Sequence, residues 1–331
     1  MTFEEILKEL KNKIYKPVYF LYGEEPYFID IISNYISKNV LTEAEKSFNQ
    51  TILYGKDVKV EDIDNAARRF PMMANHQVII VKEAQNVKNI EKLVYYTENP
   101  LNSTILVINY KYSKPEKRSK LYKALEKNSV LFESKKIYEN QIPAWINKYL
   151  SDKNFTIEPV ASNLLAEFLG TDLAKIANEL EKLQITLPQG TKINAEHIEK
   201  NIGISKDYNN FELQNAIKDK DILKANRIIN HFAANPKDNP MVLTITALFF
   251  FFSKVLAFHY LADKSKNNVA SVLKVNPYFV KDYEVTARNY SRNKIADIIS
   301  VLSEYDMKSK GLGSNSSHGD LLKELIFKIM H

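Results

Sequence analysis

The chain has 331 residues, 45% hydrophobic and 26% charged, a soluble globular composition long enough for two or three domains of about 100–200 residues each. It has no cysteine, which excludes disulfides, thiolate metal sites and a cysteine nucleophile and is in keeping with a cytoplasmic protein. The net charge of +6 favours an anionic partner such as DNA only weakly, so where the charge lies matters more.

The first residues, Met1-Thr2-Phe3-Glu4-Glu5-Ile6-Leu7-Lys8, read as an amphipathic helix and lack the basic-then-apolar order of an export signal. Residues 17–22 form a short apolar strand that stops at Gly23, after which Glu24-Glu25-Pro26 opens a helix through Phe28, Ile31, Ile32, Tyr35 and Ile36. Strand, glycine, helix is the layout of a phosphate-binding loop. Such a loop needs several glycines, a lysine for the phosphate oxygens and a hydroxyl for Mg²⁺. Here Gly23 stands alone and Glu24 and Glu25 put negative charge where phosphate would sit, so nucleotide binding is not expected.

A strand is predicted over residues 49–53, before Gly55, and a helix over residues 60–69. There follows Phe70-Pro71-Met72-Met73-Ala74-Asn75-His76-Gln77, which places two large apolar side chains after a proline at a helix-to-strand junction, where polar residues are usual. Taken alone, the pair reads either as a local core contact or as an exposed plug for a partner. Residues 78–81 form a buried strand of four β-branched residues. Lys82-Glu83 follows it, where a Mg²⁺-dependent nucleotide hydrolase would carry Asp-Glu, and a lysine cannot ligate the metal. A helix over 90–97 and strands over 104–108 and 130–132 complete the expectation of an α/β module with a parallel sheet for residues 1–138.

Between the last two strands lies a basic segment that includes Lys114, Lys117, Arg118, Lys120 and Lys123. It reads as a solvated helix face or as a contact to DNA phosphates. From Ile142 onward, apolar residues recur at helical spacing, as in Trp145, Ile146, Tyr149 and Leu150, and then Leu173, Ile176, Ala177, Leu180 and Leu183 behind a capping Asp172. Two all-α domains are predicted, over 139–206 and 207–331. In the second, the uncharged run from Met241 ends at Ser253 and Lys254, short of the ~20 apolar residues that span a bilayer. Phe249, Phe250, Phe251 and Phe252 put aromatic rings on every side of one helix, which reads as self-burial or as packing against another subunit.

The six histidines show neither metal-ligand spacing nor the arrangement of a nucleophile and base, and Glu179 and Glu181 suit solvated or ion-paired roles. No catalytic residue, metal or cofactor is expected. An active ATPase of DNA replication or repair and a stand-alone basic DNA-binding helical protein remain as alternatives, and measurable ATP affinity or salt-sensitive DNA binding would favour them.

With these features together, the first module resembles the AAA+ clamp loaders, and nearly the whole chain resembles the delta subunit family of bacterial DNA polymerase III. The runs that carry the likeness are Tyr22-Gly23-Glu24-Glu25-Pro26, Lys117-Arg118-Ser119-Lys120-Leu121-Tyr122-Lys123-Ala124-Leu125, Gly170-Thr171-Asp172-Leu173-Ala174-Lys175-Ile176-Ala177-Asn178-Glu179-Leu180-Glu181-Lys182-Leu183 and Asn276-Pro277-Tyr278. The resemblance implies an AAA+-like module without ATPase activity, a helical lid and a helical collar for oligomerisation. It implies the ring-shaped sliding clamp (beta subunit), the gamma/tau and delta prime subunits and primer-template DNA as partners, in the cytoplasm and not at a membrane. The family's clamp-binding element, a pair of large apolar residues, falls on Met72 and Met73, flanked by Phe70 and Pro71, where the best-known members carry Leu-Phe.

Overall fold

Runs of β-branched and aromatic residues with no polar alternation are satisfied inside a sheet covered on both faces, and three such segments form the centre of a five-stranded parallel sheet whose two edge strands are less buried. The computed structural model describes residues 1–331 and divides into two units, Met1–Ile137 and Tyr138–His331. In the first unit the order is α1 (Phe3–Lys11), β1 (Val18–Gly23), α2 (Pro26–Asn39), α3 (Glu43–Asn49), β2 (Gln50–Tyr54), α4 (Val60–Ala67), β3 (Gln77–Lys82), α5 (Val94–Thr97), β4 (Thr104–Lys111), α6 (Lys120–Asn128) and β5 (Val130–Ser134). The strands lie in the order β2-β3-β4-β1-β5. Every neighbouring pair is parallel, with Val18 opposite Leu106, Val78 opposite Ile105 and Gly23 opposite Ser134.

The period-2 alternation of side chains divides the central strands between two cores. Phe20, Tyr22, Ile79, Val81, Leu106 and Ile108 face α4, α5 and α6. Tyr19, Leu21, Val78, Ile80, Ile105 and Val107 face α1 and α2. The α/β module with a parallel sheet is therefore the one expected. Two local expectations are corrected. Asn49 is not in a strand but closes α3, a helix begun by a capping box in which the Thr42 hydroxyl accepts from the Glu45 amide and the Glu45 carboxylate accepts from the Thr42 amide. The segment expected as one helix over 90–97 starts as a 3-10 turn and is α-helical only in α5.

The second unit contains α7 (Ile142–Ser151), β6 (Thr156–Ile157), α8 (Pro159–Leu169), α9 (Leu173–Thr186), β7 (Lys192–Ile193) and α10 (Ala195–Ile202), with β6 and β7 paired in parallel. It continues through α11 (Asn210–Lys218), α12 (Ile222–Ala234), α13 (Met241–Tyr260), α14 (Lys266–Leu273), α15 (Val280–Asn289), α16 (Arg292–Ser309) and α17 (His318–Met330), which share one apolar core. The predominantly helical character matches the expectation for this half. The helix α13 continues past Ser253 and Lys254 to 20 residues, and by length and composition it is apolar enough to cross a membrane, which is not expected of the uncharged run alone. Its buried residues, Met241, Thr244, Ile245, Leu248, Phe251, Phe252, Val255 and Phe258, recur at three- and four-residue steps and pack against α15 and α16.

Candidate functional site

In a parallel α/β sheet, ligands bind beyond the carboxyl ends of the strands where the order reverses, which here is the corner after β1. That corner is closed by the chain itself. Gly23 adopts φ +134° and lies so close to β5 that a Cβ on it would sit 2.1 Å from the Ser134 carbonyl oxygen. The Ser134 hydroxyl donates to the Glu25 carbonyl at 2.6 Å, and the Glu25 amide donates to the Ser134 carbonyl at 3.3 Å. At the start of α2, where free amides would receive a phosphate, the Glu25 carboxylate accepts the Tyr27 amide at 3.1 Å, and Pro26 has no N–H to offer. The chain's own anion occupies the helix N-terminus.

Nearby cations also have partners within the chain. Lys111 Nζ lies 2.7 Å from Asp30 and 3.6 Å from Glu83. Burial works to lower its pKa, but the hydrogen bond and charge of Asp30 and then the charge of Glu83 outweigh it, and the net shift is upward. Lys82 points its ammonium towards the Tyr54 ring, 5.8 Å from the centroid, and Glu83, itself in a left-handed backbone conformation, accepts a hydrogen bond from Gln85 Nε2 at 2.6 Å. Lys114, expected as a DNA contact, is held 3.0 Å from Glu133 and 3.7 Å from Glu24. Lys114 stays exposed at the surface, where these ion pairs are weak and leave its ammonium open to other anions. Lys117, Arg118, Lys120 and Lys123 are exposed around the start of α6, which Ser119 caps by accepting the Tyr122 amide at 3.1 Å.

The methionine loop joins α4 to β3 and behaves in the opposite way. Met72 is 62% exposed and Met73 fully exposed, Phe70 is exposed beside them, and Pro71 is half-buried. The reading of this pair as a core contact is excluded, because the loop side chain that packs against the sheet core is Ala74. Apolar side chains in water are unfavourable by roughly 25 cal/mol per Å² of the area that burial would remove, so their outward direction needs a backbone cause. Buried polar side chains supply it.

On one flank, Asn49 at the end of α3 accepts the Met72 amide at 2.6 Å and donates to the Met72 carbonyl at 2.9 Å. On the other, Gln77 Nε2 donates to the Ala67 carbonyl at 3.2 Å, to the Arg69 carbonyl and to the Thr104 hydroxyl at 2.8 Å, while Thr104 donates to Ala67 at 2.8 Å. Between these anchors Met73 is held at φ 54°, a left-handed conformation uncommon for a residue with a Cβ. The sequence reading missed Asn49, Gln77 and Thr104. Thr42-x-x-Glu45 was a signal that could have placed the helix ending at Asn49.

The four phenylalanines of α13 separate. Phe251 and Phe252 are buried in the helical core, which corrects the expectation that all four serve oligomerisation, and Phe249 and Phe250 remain exposed. Glu179 pairs with Lys182 at 2.7 Å and Glu181 with Lys153 at 3.7 Å, as ion-paired surface groups.

The family model described as DNA polymerase III, delta subunit, matches residues 19–135, and that of the DNA polymerase III delta subunit, C-terminal domain, matches residues 207–327. The DNA polymerase III subunit delta of Bacillus subtilis (strain 168) is 28% identical over 323 residues, covering 92% of this chain and 91% of the relative. Among solved structures, the Bacillus subtilis DNA clamp loader delta protein superposes with a TM-score of 0.57 at 23% identity, over 99% of each chain, a likeness of fold.

Proposed function

Because the chain belongs to the DNA polymerase III delta subunit family and so to the clamp loader, we propose that it binds the ring-shaped sliding clamp through Met72 and Met73, with Phe70 and Pro71 shaping the contact, and opens the ring for loading onto primed DNA without hydrolysing ATP. The observation that carries this reading is the outward display of two adjacent methionines on a backbone fixed at both ends. Burying one methionine side chain is worth roughly 1.5–3 kcal/mol, so two in an apolar pocket supply about 3–6 kcal/mol of the roughly 8 kcal/mol that a micromolar contact needs, and the flanking Phe70 and Pro71 add to it. Methionine also suits a pocket shaped for other apolar pairs, because its unbranched side chain adapts to irregular gaps.

Anchoring alone opens nothing. The ring opens only if this subunit binds the open form better than the closed one, since a ligand shifts an equilibrium by its differential affinity. The absence of ATP chemistry is supported by the Glu25 carboxylate at the start of α2 and by the pairing of Gly23 with Ser134. The ATP-driven step then belongs to the gamma/tau partner subunits. The second unit is proposed to comprise a lid over 139–206 and a collar over 207–331, with Phe249 and Phe250 facing gamma/tau or delta prime. Lys114, Lys117, Arg118, Lys120 and Lys123 are the proposed contacts to primer-template DNA.

The deciding experiment is co-elution of the full chain with the sliding clamp from the same genome, for the wild type and for Met72→Ala/Met73→Ala. The wild type should bind and the double variant should lose about 100-fold in affinity, corresponding to roughly 2.7 kcal/mol. Equal binding by both proteins would refute the site, and no binding by either would refute the function. Isolated chain titrated with ATP should show no saturable binding, and a measurable affinity would revive the ATPase reading.

A further inference from the structure

We infer that Asn49, which lies behind the methionine loop, is the positioning residue that holds Met72 and Met73 in docking geometry. The inference rests on the clamp-binding reading of those two methionines. Asn49 is only 3% exposed, so it stands outside any contact surface. A buried amide is tolerated when its donors and acceptor are used, and this one uses them almost entirely on one distant residue. Its Oδ1 accepts the Met72 amide at 2.6 Å, its Nδ2 donates to the Met72 carbonyl at 2.9 Å, and the second Nδ2 proton goes to the Glu45 carbonyl at 3.1 Å.

The side-chain amide thus pairs with both backbone groups of Met72, as the residue of a neighbouring strand would in an antiparallel ladder. Gripping the N–H and the C=O of one residue restrains both of its backbone torsions and so the direction of its side chain. It also fixes the chain entering Met73, whose left-handed backbone persists only where both flanks are determined. The far flank is set by Ala74 against the sheet core and by the Gln77–Thr104 bonds. Asn49 is the near flank's link to the protein interior. A loop ordered beforehand does not have to be ordered during docking, and that is an affinity gain made without touching the partner.

The test uses the full chain and the sliding clamp, with affinity and association rate measured for wild type, Asn49→Ala, Met72→Ala/Met73→Ala and the triple variant. Asn49→Ala should bind about ten-fold more weakly, with most of the loss in the association rate, and should speed hydrogen exchange at residues 72–75. In the triple variant Asn49→Ala should add less than about two-fold, because its effect passes through the methionines. A full ten-fold loss added there, or wild-type affinity in a folded Asn49→Ala, would overturn the inference. If the double methionine variant binds like wild type, the clamp reading itself falls. Should Asn49→Ala not fold, hydrogen exchange of the wild type decides: the Met72 amide should be protected well beyond those of Met73 and Asn75, and equal rapid exchange would overturn the proposal.

Discussion

Two stretches carry large apolar residues in succession, Phe70 to Met73 in a loop and Phe249 to Phe252 in a helix, and the structure treats them differently. In α13 each residue turns about 100° from the last, so four phenylalanines divide, with Phe251 and Phe252 entering the core and Phe249 and Phe250 left outside. In the loop no rotation distributes the side chains. Asn49 grips the backbone of Met72, Ala74 takes the inward position, and both methionines face solvent. Exposure of an apolar residue is set by the local backbone and by whether a second layer lies over it, more than by how apolar its neighbours are.

The largest effect expected from breaking this contrast is on the helical side. Phe252→Ala should destabilise the chain by about 3–5 kcal/mol, read by denaturant unfolding, because it empties a fully buried site. Met72→Ala/Met73→Ala should leave unfolding within about 0.5 kcal/mol of wild type while clamp affinity falls, and a large stability loss would show that the loop is core after all. Phe250→Ala should likewise spare the fold and weaken co-assembly with the other loader subunits by about ten-fold, measured by analytical size exclusion. If assembly is unchanged, the exposed half of α13 has another role. The smallest effect is expected at α6, where Lys117→Ala/Lys120→Ala should reduce the salt dependence of DNA binding by the loader by about 1–2 in log–log slope.

A third region completes the contrast, because the corner after β1 is as fully self-satisfied as the methionine loop is open. Glu25 fills the helix N-terminus that a phosphate would occupy, and Gly23 lies against Ser134. Here the sequence was direct. One glycine followed by two glutamates lacks the amides, lysine and hydroxyl of a phosphate loop, and each of those groups acts from within a few residues of the turn. The position of Met72 and Met73 was equally legible, since a proline followed by two methionines violates the polarity of a helix-to-strand junction.

Other features were hidden because their causes are distant in the chain. Asn49 and Met72 are 23 positions apart, and Gln77 and Thr104 are 27 apart, so no local pattern ties either pair. Strands β6 and β7 are two residues each, too short for any alternation to register. Lys114 looked like its neighbours in a basic run until folding placed Glu24 and Glu133 beside it.

By itself the sequence determined the parallel α/β module, the helical remainder, the loss of the phosphate loop and the place of the methionine pair, because hydrophobic period, turn residues and missing ligands are local properties. Only the tertiary structure decided which of the apolar residues stand in water, which cations remain free, and which buried amide holds the loop outward. Those outcomes depend on what folding brings alongside each group, and a buried hydrogen bond or an ion pair forms with whatever partner is near in space, however far away it is in the chain.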